Sequence, residues 1–392
     1  MPGRQVYLDN SATTRPYPEV VQAVVEAMEV YYGNPSSLHK KGVEASRVLI
    51  QAREAVAASL GVGSGEIVFT GGGTEAINLA LKGVLPGRRG RHVITTAVEH
   101  PAVLNTCEQL KAQGVEVTVL PVDGQGVLEP GQLQKALRDD TYLVSVMYVN
   151  NEVGAVQPLE EIAAVLADLR RGGRKLLWHV DAVQAYGKLS VRPRELGVDL
   201  LSVSAHKVHG PKGVGALYVA SHTQLQPLLA GGGQEHGLRS GTENVPGIAG
   251  FGVAAAIIAR EVKGVAGKIF SLKKRLVDGI MAAVPGAVLN GPACRQDNPR
   301  CAPQIANLSF PGLRGEILLH SLEERGIYVS TGSACASRKN PGSHVLKAMG
   351  ATGELLEGAL RFSLSPMTTV EEIDYTVEQT AAVVRELYAL YN

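Results

Sequence analysis

The stretch LSVSAHKVHGPKGVGALYV, residues 201–219, decides the fold of this chain. Apolar residues alternate as far as Ser204, a turn rich in glycine and proline follows, and a second apolar run ends at Val219. This pattern predicts a strand, a turn and a second strand. Lys207 falls between the strands, where an ammonium is costly to bury unless a carboxylate pairs with it or the amine has condensed with an aldehyde. The alternative is a lysine whose side chain extends from a hairpin turn into water.

Strands and helices alternate over residues 65–220, which predicts a mostly parallel sheet covered on both faces. His100, Asn151, Asp181 and Lys207 fall at or just after the ends of four predicted strands. Gln184 follows Asp181 by about one helical turn. Sheets of this kind bind ligands beyond the carboxyl ends of their strands, so we expect these side chains to share one site.

A glycine-rich turn precedes the first helix of this region, in FTGGGTEAINLAL at residues 69–81. Glycines before a helix let backbone amides approach an anion, and the helix dipole favours a phosphate near Gly72, Gly73 and Thr74. The spacing fits neither G-x-x-x-x-G-K-[ST] nor G-x-G-x-x-G, which disfavours ATP and dinucleotides. A tight turn that uses glycine for its geometry alone is the alternative.

The whole chain of 392 residues is too long for one ordinary core and suits a large domain with a smaller one. Its 38 basic and 37 acidic residues give a net charge of +1, which favours neither nucleic acid nor an anionic membrane. The N-terminus lacks the apolar core of a signal peptide, and the longest apolar stretch, near residues 252–259, is too short to span a bilayer. We therefore expect a cytoplasmic protein that acts on a small molecule.

The four cysteines match neither a disulfide framework nor paired zinc ligands, so no metal site is predicted. Residues 291–303 indicate a surface loop in which Cys294 and Cys301 are more simply incidental than a metal or redox pair. Cys335 falls in a loop of small residues with basic residues nearby, which favours a reactive thiolate, although an ordinary loop cysteine is equally consistent. Arg361 lies on a predicted strand and suits the binding of a carboxylate.

Taken in order, these stretches resemble the pyridoxal-phosphate-dependent cysteine desulfurases, of fold type I in the class V aminotransferase group. The matching stretches cover essentially the whole chain: YLDNSATT, GNPSSLH, FTGGGTEAINLAL, VEHPAV, VNNEVG, HVDAVQ, SAHKVHGPKGVGALY, GGGQEHGLRSGT, STGSACAS and LRFSLS. The resemblance implies an α/β fold with a large cofactor-binding domain, residues 15–259, on a mostly parallel seven-stranded sheet. Residues 1–14 and 260–392 would form a smaller α+β domain with a mobile Cys335 loop.

The resemblance also implies how pyridoxal 5'-phosphate is bound. Lys207 would hold the cofactor aldehyde as a Schiff base, and Asp181 would pair with the pyridine nitrogen. His100 would stack on the ring and Gln184 would reach the ring oxygen. The phosphate would be bound by Gly73, Thr74, Ser204 and His206, together with Thr242 from a neighbouring subunit, which implies a homodimer with composite sites.

For the substrate, the resemblance implies that Asn151 and Arg361 bind the carboxylate of L-cysteine. Lys207 would remove the α-proton, and Cys335 would take the sulfur as a persulfide while L-alanine leaves. A sulfur-acceptor protein such as an iron–sulfur scaffold would be the partner, because STGSACAS and its long following loop are similar to the subgroup that feeds iron–sulfur assembly or other thio-cofactor pathways. The chain ends at Asn392, without the longer tail with which some members dock a scaffold, so the acceptor's identity is left open.

Three other functions are compatible with parts of this pattern. A selenocysteine lyase or a class V aminotransferase could use the same scaffold, and an aminotransferase would not need Cys335. A catalytically silent scaffold subunit would bind no cofactor. The two cysteines of residues 291–303 have no role in any of these.

Overall fold

The computed structural model describes residues 4–84, 90–331 and 342–391. The strands within these residues are β1 Val6–Tyr7, β2 Ile67–Thr70, β3 His92–Thr96, β4 Glu116–Leu120, β5 Thr141–Ser145, β6 Leu177–Asp181, β7 Leu200–Ser204, β8 Gly215–Val219, β9 Val288–Asn290, β10 Ile305–Ser309, β11 Ile327–Tyr328 and β12 Ala359–Ser363. The helices are α1 Pro18–Glu29, α2 Lys40–Leu60, α3 Gly73–Gly83, α4 Pro101–Ala112, α5 Pro130–Ala136, α6 Leu159–Arg171, α7 Pro193–Leu196, α8 Val245–Ala283, α9 Gly315–Glu323, α10 His344–Ala348, α11 Glu354–Glu357 and α12 Val370–Tyr391. Single turns of 3-10 helix lie at Ser64–Glu66, Ala205–Lys207 and Glu235–Gly237.

The central sheet has seven strands in the order β2-β8-β7-β6-β5-β3-β4. Only β8 runs antiparallel to its two neighbours, and the other pairs are parallel. The strands on both sides of the turn at residues 205–214 are buried throughout, as expected for a sheet covered on both faces. The predicted mostly parallel seven-stranded sheet is therefore confirmed, and Lys207 follows directly after one of its inner strands.

Among the apolar clusters of the described residues, two cores position the site. The first lies on one face of the central sheet and includes Trp178, Leu201 and Phe251, and a separate cluster covers the opposite face. The second packs β10 and β12 against α9, α12 and the C-terminal half of α8, with Phe310 and Phe362 fully buried. The division of the chain at residue 259 stays a prediction, since α8 contributes side chains to both cores.

Helix α8 changes direction between its halves, Val245–Glu261 and Gly264–Ala283, by 81°. Among the described residues no single helix is both long enough and apolar enough to cross a membrane. The two halves of α8 taken together meet these requirements by length and composition only. The first half packs on α1 and α2, and the second half packs on α12.

Two predicted features differ in detail from the structure. The strand predicted across residues 143–154 ends at Ser145, although the amides of Val146 and Tyr148 still donate to carbonyls of β6. Residues 150–153 then form a turn in which the Asn150 Oδ1 atom accepts hydrogen bonds from the amides of Glu152 and Val153. The loop of residues 291–303 has an exposed outer side, but Cys294 and Cys301 point inward and are buried.

The N-terminal segment of residues 9–14 ties the second core to the central sheet. At one end, the Asn10 side chain donates to the Ser363 carbonyl over 2.8 Å, and the Ser11 amide donates to the Ser363 hydroxyl over 2.8 Å. At the other end, the Thr14 amide donates to the His206 carbonyl over 2.9 Å. The segment therefore lies across the 3-10 turn that presents Lys207.

A buried ion pair fixes the edge strand β2. Arg53 of α2 forms two hydrogen bonds with the carboxylate of Glu235, at 2.6 and 2.7 Å, and donates to the Ile67 carbonyl. The same carboxylate accepts the Phe69 amide at 2.7 Å, and its side chain is 2% exposed. Glu235 has a φ of 49°, a left-handed conformation that is unfavourable for this residue, so these contacts hold it in place.

We predict that Glu235→Gln lowers the free energy of unfolding by about 3 kcal/mol, because Arg53 is left with an unpaired, largely buried charge. The change is measured by denaturant unfolding of the two proteins. The matched control is Asp297→Asn, which removes an exposed ion pair with Arg295 and should leave the unfolding midpoint unchanged. Equal effects of the two substitutions would contradict the prediction.

Candidate active site

A cavity of about 300 Å³ opens at the carboxyl ends of the central strands. It brings together ten of the site residues predicted from the sequence: Gly73, Thr74, His100, Asn151, Asp181, Gln184, Ser204, His206, Lys207 and Arg361. A second and larger depression of about 730 Å³ adjoins it and shares Gly73, Thr74, Ser204 and His206.

Lys207 reaches the cavity from the last residue of the 3-10 turn after β7. The turn is tight, and a Cβ at Gly210 would lie 2.8 Å from the Ala205 carbonyl oxygen. The Lys207 Nζ atom donates to the carbonyls of Ser11 and Ala12, the latter over 2.7 Å. The amine thus points across the cavity wall towards the N-terminal segment, and the interpretation of a lysine extending from a plain hairpin is wrong.

Asp181 ends β6 and is 4% exposed. Its Oδ1 atom accepts the Val183 amide at 3.0 Å. Burial raises the pKa of this carboxyl to about 6, while the Val183 hydrogen bond and the positive charge of Lys207 act in the opposite direction. A cationic group placed beside Asp181 would therefore favour the carboxylate form.

His100 is the N-cap residue of α4, and its Nδ1 atom accepts the Ala102 amide at 3.1 Å. Burial lowers the pKa of the imidazole to about 4, and the charges of Lys207 and His344 lower it further. The ring is therefore neutral at pH 7 and carries its proton on Nε2. A neutral ring in a cavity wall can stack on a flat aromatic ligand.

The end of the cavity near α3 has the features of an anion site. The first turn of α3, at Gly73 and Thr74, faces the end of β7, and a Cβ at Gly73 would approach the Val183 side chain to 3.1 Å. Ser204 Oγ is buried there and has no hydrogen-bond partner among the described residues. Since free N-terminal amides and an unused hydroxyl bind phosphate well, these residues fit a phosphate group.

His206 and Gln184 are oriented by the N-terminal segment. The Nδ1 atom of His206 lies 3.2 Å from the Thr13 hydroxyl, and burial lowers the pKa of this imidazole to about 4. The Gln184 side chain donates to the Ser11 carbonyl over 3.0 Å, the same carbonyl that accepts from Lys207. The Gln184 amide nitrogen carries a second N–H, which can still be donated to a ligand oxygen.

Arg361 lies on β12 of the second core and is 5% exposed. Its terminal nitrogens donate to the Asn151 carbonyl at 2.9 Å and to an Asp9 carboxylate oxygen at 2.8 Å. Its Nε atom has no hydrogen-bond partner in the part of the chain that the structure describes. Because each terminal nitrogen carries a second N–H, the guanidinium can still bind a carboxylate, although Asp9 already neutralises part of its charge.

Cys335 lies outside the described residues. After its segment, Ser343 and His344 line the cavity, and before it, Ser330 exchanges backbone hydrogen bonds with Arg361, whose side chain lines the cavity. Thr242 does not line this cavity; it is exposed beside a separate depression that includes Met28 and Tyr31.

The structure adds residues to which the sequence interpretation gave no role. Ser11 and Ala12 line the cavity within the quoted YLDNSATT stretch, but they act on Lys207 through backbone carbonyls, which leave no signal in residue type. Glu99 is fully buried beneath His100; its Oε1 accepts the Thr96 hydroxyl and the Met147 amide, and burial raises its pKa to about 8. The Nε2 atom of His344 lies 2.9 Å from the Glu99 carbonyl oxygen and donates its N–H to it.

The arrangement combines an amine, a carboxylate shielded from water, a neutral imidazole, an anion site and an arginine within one cavity. Ser11 Oγ, Ser204 Oγ and Arg361 Nε line the cavity as buried polar atoms without partners among the described residues. Buried polar atoms in folded proteins are nearly always hydrogen-bonded, so three such atoms around one cavity indicate a polar ligand. The residues fit a flat aromatic aldehyde that carries a cationic ring nitrogen and a phosphate.

Comparison with known proteins agrees with the family resemblance of the sequence. The sequence model of the family described as Aminotransferase class-V matches residues 6–376. A curated cysteine desulfurase of Trichormus azollae is 45% identical over 386 residues, which is 98% of this chain and 94% of that protein. The cysteine desulfurase IscS of Methanosarcina thermophila is 43% identical, over 98% of this chain and 93% of that protein.

Solved structures agree with the sequence relatives. A NifS-like protein superposes with a TM-score of 0.90 at 41% identity, over 97% of this chain and all of that chain. A structure titled SspA in complex with cysteine has a TM-score of 0.78 at 34% identity, over 93% of this chain and all of that one. The chain belongs to the class-V aminotransferase family and, within it, to the cysteine desulfurases.

Proposed function

We propose that this protein binds pyridoxal 5'-phosphate and converts L-cysteine to L-alanine, with transfer of the sulfur to Cys335. The observation that supports it is the meeting of Lys207, Asp181, His100 and the unpartnered Ser204 hydroxyl in one cavity with Arg361. These groups match, one for one, the aldehyde, the ring nitrogen, the ring face and the phosphate of the cofactor and the carboxylate of an amino acid.

Each cofactor-binding residue has a separate task in the proposal. Lys207 holds the aldehyde carbon, and Asp181 holds the proton on the ring nitrogen by its negative charge. Ser204, His206 and the first turn of α3 bind the phosphate, while Gln184 and His100 position the ring. When bound, the cofactor supplies an electron sink for the charge that remains at the substrate Cα after its proton is removed.

The substrate is oriented from the second core. Arg361 and Asn151 bind its carboxylate, and the Arg361–Asp9 ion pair keeps the guanidinium at a fixed position. Once the substrate amine has replaced it at the aldehyde carbon, Lys207 would be the base that removes the Cα proton, because its amine lies in the cavity wall and the Ser11 and Ala12 carbonyls hold its direction. A displacement of these carbonyls would therefore misplace the base.

The sulfur leaves by attack of the Cys335 thiolate on the substrate sulfur. The S–S bond forms as the substrate Cβ–S bond breaks, so that one L-cysteine and one thiol give one L-alanine and one persulfide. Ser343 and His344, which follow the Cys335 segment, line the cavity, and Ser330, which precedes it, is bonded to the backbone of Arg361, which supports the approach of this thiol. A thiol of an acceptor protein, such as an iron–sulfur scaffold in the cytoplasm where thiols are kept reduced, then takes the outer sulfur as the persulfide S–S bond breaks and the Cys335 thiol is restored.

The proposal includes a homodimer in which Thr242 completes the phosphate site of the neighbouring chain. Thr242 is exposed and lies away from the cavity of its own chain, which is consistent with a contact made across an interface. The proposed homodimer would be contradicted if the pure protein with bound cofactor sedimented as a monomer.

Lys207→Ala is expected to abolish covalent attachment of the cofactor and the formation of alanine, because no other amine at this position can hold the aldehyde. Borohydride reduction and digestion should leave a pyridoxyl group on the peptide that contains residue 207 in the wild type. The control, Lys135→Ala, alters an exposed lysine of α5 and should keep both properties. A pyridoxyl group found on another peptide of the wild type would refute the assignment.

Cys335→Ser is expected to retain the bound cofactor but to lower alanine formation from cysteine by about 10³-fold or more. The peptide that contains residue 335 should gain the mass of one sulfur atom in the wild type only. A variant that keeps full activity would favour an aminotransferase, and alanine formation from selenocysteine alone would favour a selenocysteine lyase. Cys294→Ala serves as the control and should behave as the wild type.

The affinity for pyridoxal 5'-phosphate is expected to fall by about tenfold between pH 7 and pH 5. The pKa of Asp181 is about 6, so the carboxyl is ionised above this pH and gains a proton below it, which removes its attraction to the protonated ring nitrogen. Asp181→Asn should bind more weakly at pH 7 and lack this part of the pH dependence. Titration of each apoprotein with pyridoxal 5'-phosphate, followed by fluorescence, measures the affinity of the wild type and of the variant at each pH. Identical pH profiles of the two proteins would exclude the role of Asp181.

A further inference from the structure

A second group of reactive side chains lies outside the cavity, between α8 and the loop of residues 291–303. It consists of Lys273, Cys294 and Cys301, which are 2%, 8% and 7% exposed. The Lys273 Nζ atom donates to the Cys301 sulfur at 3.0 Å and to the Ala302 carbonyl at 2.8 Å. We call these three residues the dithiol cluster; none of them lines the cavity around Lys207.

The Lys273 ammonium needs a negative partner because it is almost completely buried. In the described part of the chain no carboxylate pairs with it, and the nearby Asp278 is engaged by Lys274 at 2.5 Å. The sulfur of Cys301 is the group in contact that can carry a negative charge. The two residues therefore form a buried ammonium–thiolate pair.

Cys294 lies in the same buried cluster as Cys301. Hydrogen bonding between the two thiol groups lowers the pKa of Cys301, with a further contribution from Lys273 and against the effect of burial. The same interaction raises the pKa of Cys294. Cys301 is therefore the sulfur that is favoured as a thiolate, and Cys294 is the sulfur that is favoured as a thiol.

A metal ion does not suit this cluster, since the ammonium already places a positive charge 3.0 Å from the Cys301 sulfur. Hydrogen bonds within the loop fix the backbone between the two cysteines. The Asn298 side chain donates to the Ala293 carbonyl at 3.0 Å, and the Cys301 amide donates to the Asn298 carbonyl at 3.2 Å. A thiolate and a thiol that are buried in one cluster can be joined as a disulfide when an oxidant accepts two electrons.

We propose that Cys294 and Cys301 are an oxidisable dithiol that hydrogen peroxide converts to a disulfide within the folded protein. The Cys301 thiolate attacks one peroxide oxygen, the O–O bond breaks, and Cys301 becomes a sulfenic acid as one water is released. The Cys294 sulfur then displaces the hydroxyl of the sulfenic acid, forming the S–S bond and a second water. Both thiols lose one hydrogen, and one peroxide is reduced to two waters.

The disulfide is easily reduced again by a small thiol. The reduced cluster contains an ammonium–thiolate ion pair that the disulfide lacks, and stabilisation of the reduced form raises the reduction potential of a dithiol. Oxidation therefore leaves Lys273 buried without its counter-charge, which favours the return of the thiolate. Reversal consumes two thiols of the reductant and releases them as its own disulfide.

The test compares two cysteines of one molecule, Cys301 and Cys107. Cys107 is 1% exposed with no cation in hydrogen-bond contact, and burial raises its pKa to about 12. The loaded, full-length protein is exposed to a small excess of hydrogen peroxide, free thiols are alkylated, and the protein is digested without reductant. We expect a pair of peptides joined by a disulfide between Cys294 and Cys301. This disulfide should form at least about tenfold faster than any oxidation of Cys107, and dithiothreitol should separate the two peptides.

Two variants separate the parts of the proposal. Lys273→Met should keep the fold, since it replaces a buried charge with an apolar side chain of similar length, and should slow disulfide formation by about tenfold. Cys294→Ser should give a sulfenic or sulfinic acid on Cys301 instead of the disulfide. Three results would each overturn the proposal. Cys301 of the wild type could be oxidised no faster than Cys107, or the product could join Lys273 to Cys301. The third is a Lys273→Met protein that forms the disulfide at the rate of the wild type.

Discussion

Exclusion of water is the constraint on which the site depends. Asp181 and Glu99 are buried and His100 is partly buried, and burial shifts the pKa of each towards its neutral form. The cavity therefore has Lys207 and Arg361 as its basic groups and a buried carboxyl, Asp181, whose ionised form a neighbouring cation would stabilise. A ligand with a positive ring nitrogen and a negative phosphate supplies complementary charges at opposite ends of the cavity.

The site also depends on contacts between two cores that are distant in sequence. Lys207, Asp181 and Ser204 come from the central sheet, whereas Arg361 comes from β12 of the second core. Residues 9–14 join them, with hydrogen bonds to Ser363 on one side and to His206 on the other. Carbonyls of this segment direct the amine of Lys207, and the segment also carries Asp9, which pairs with Arg361. The proposed binding of cofactor and that of substrate therefore both depend on the position of residues 9–14.

The sequence alone predicts the alternation of strands and helices and the positions of the polar residues at the strand ends. Ile67–Thr70 and the end of β6 at Asp181 agree with the prediction because apolar runs bounded by turn residues are local signals. Ser11 and Ala12 act through backbone carbonyls, and no residue pattern reveals where a carbonyl will point. The burial of Cys294 and Cys301 depends on the approach of α8, a contact that the composition of the loop does not encode.

The bonds of residues 9–14 have a consequence for how the protein is made. Asn10 and Ser363 are separated by 353 residues, so the ribosome must translate as far as Ser363 before this contact can form. At typical translation speeds the N-terminal segment therefore remains without this contact for roughly half a minute. During synthesis the cavity around Lys207 consequently lacks the carbonyls that direct the lysine amine, and the site is completed only after Ser363 has been added.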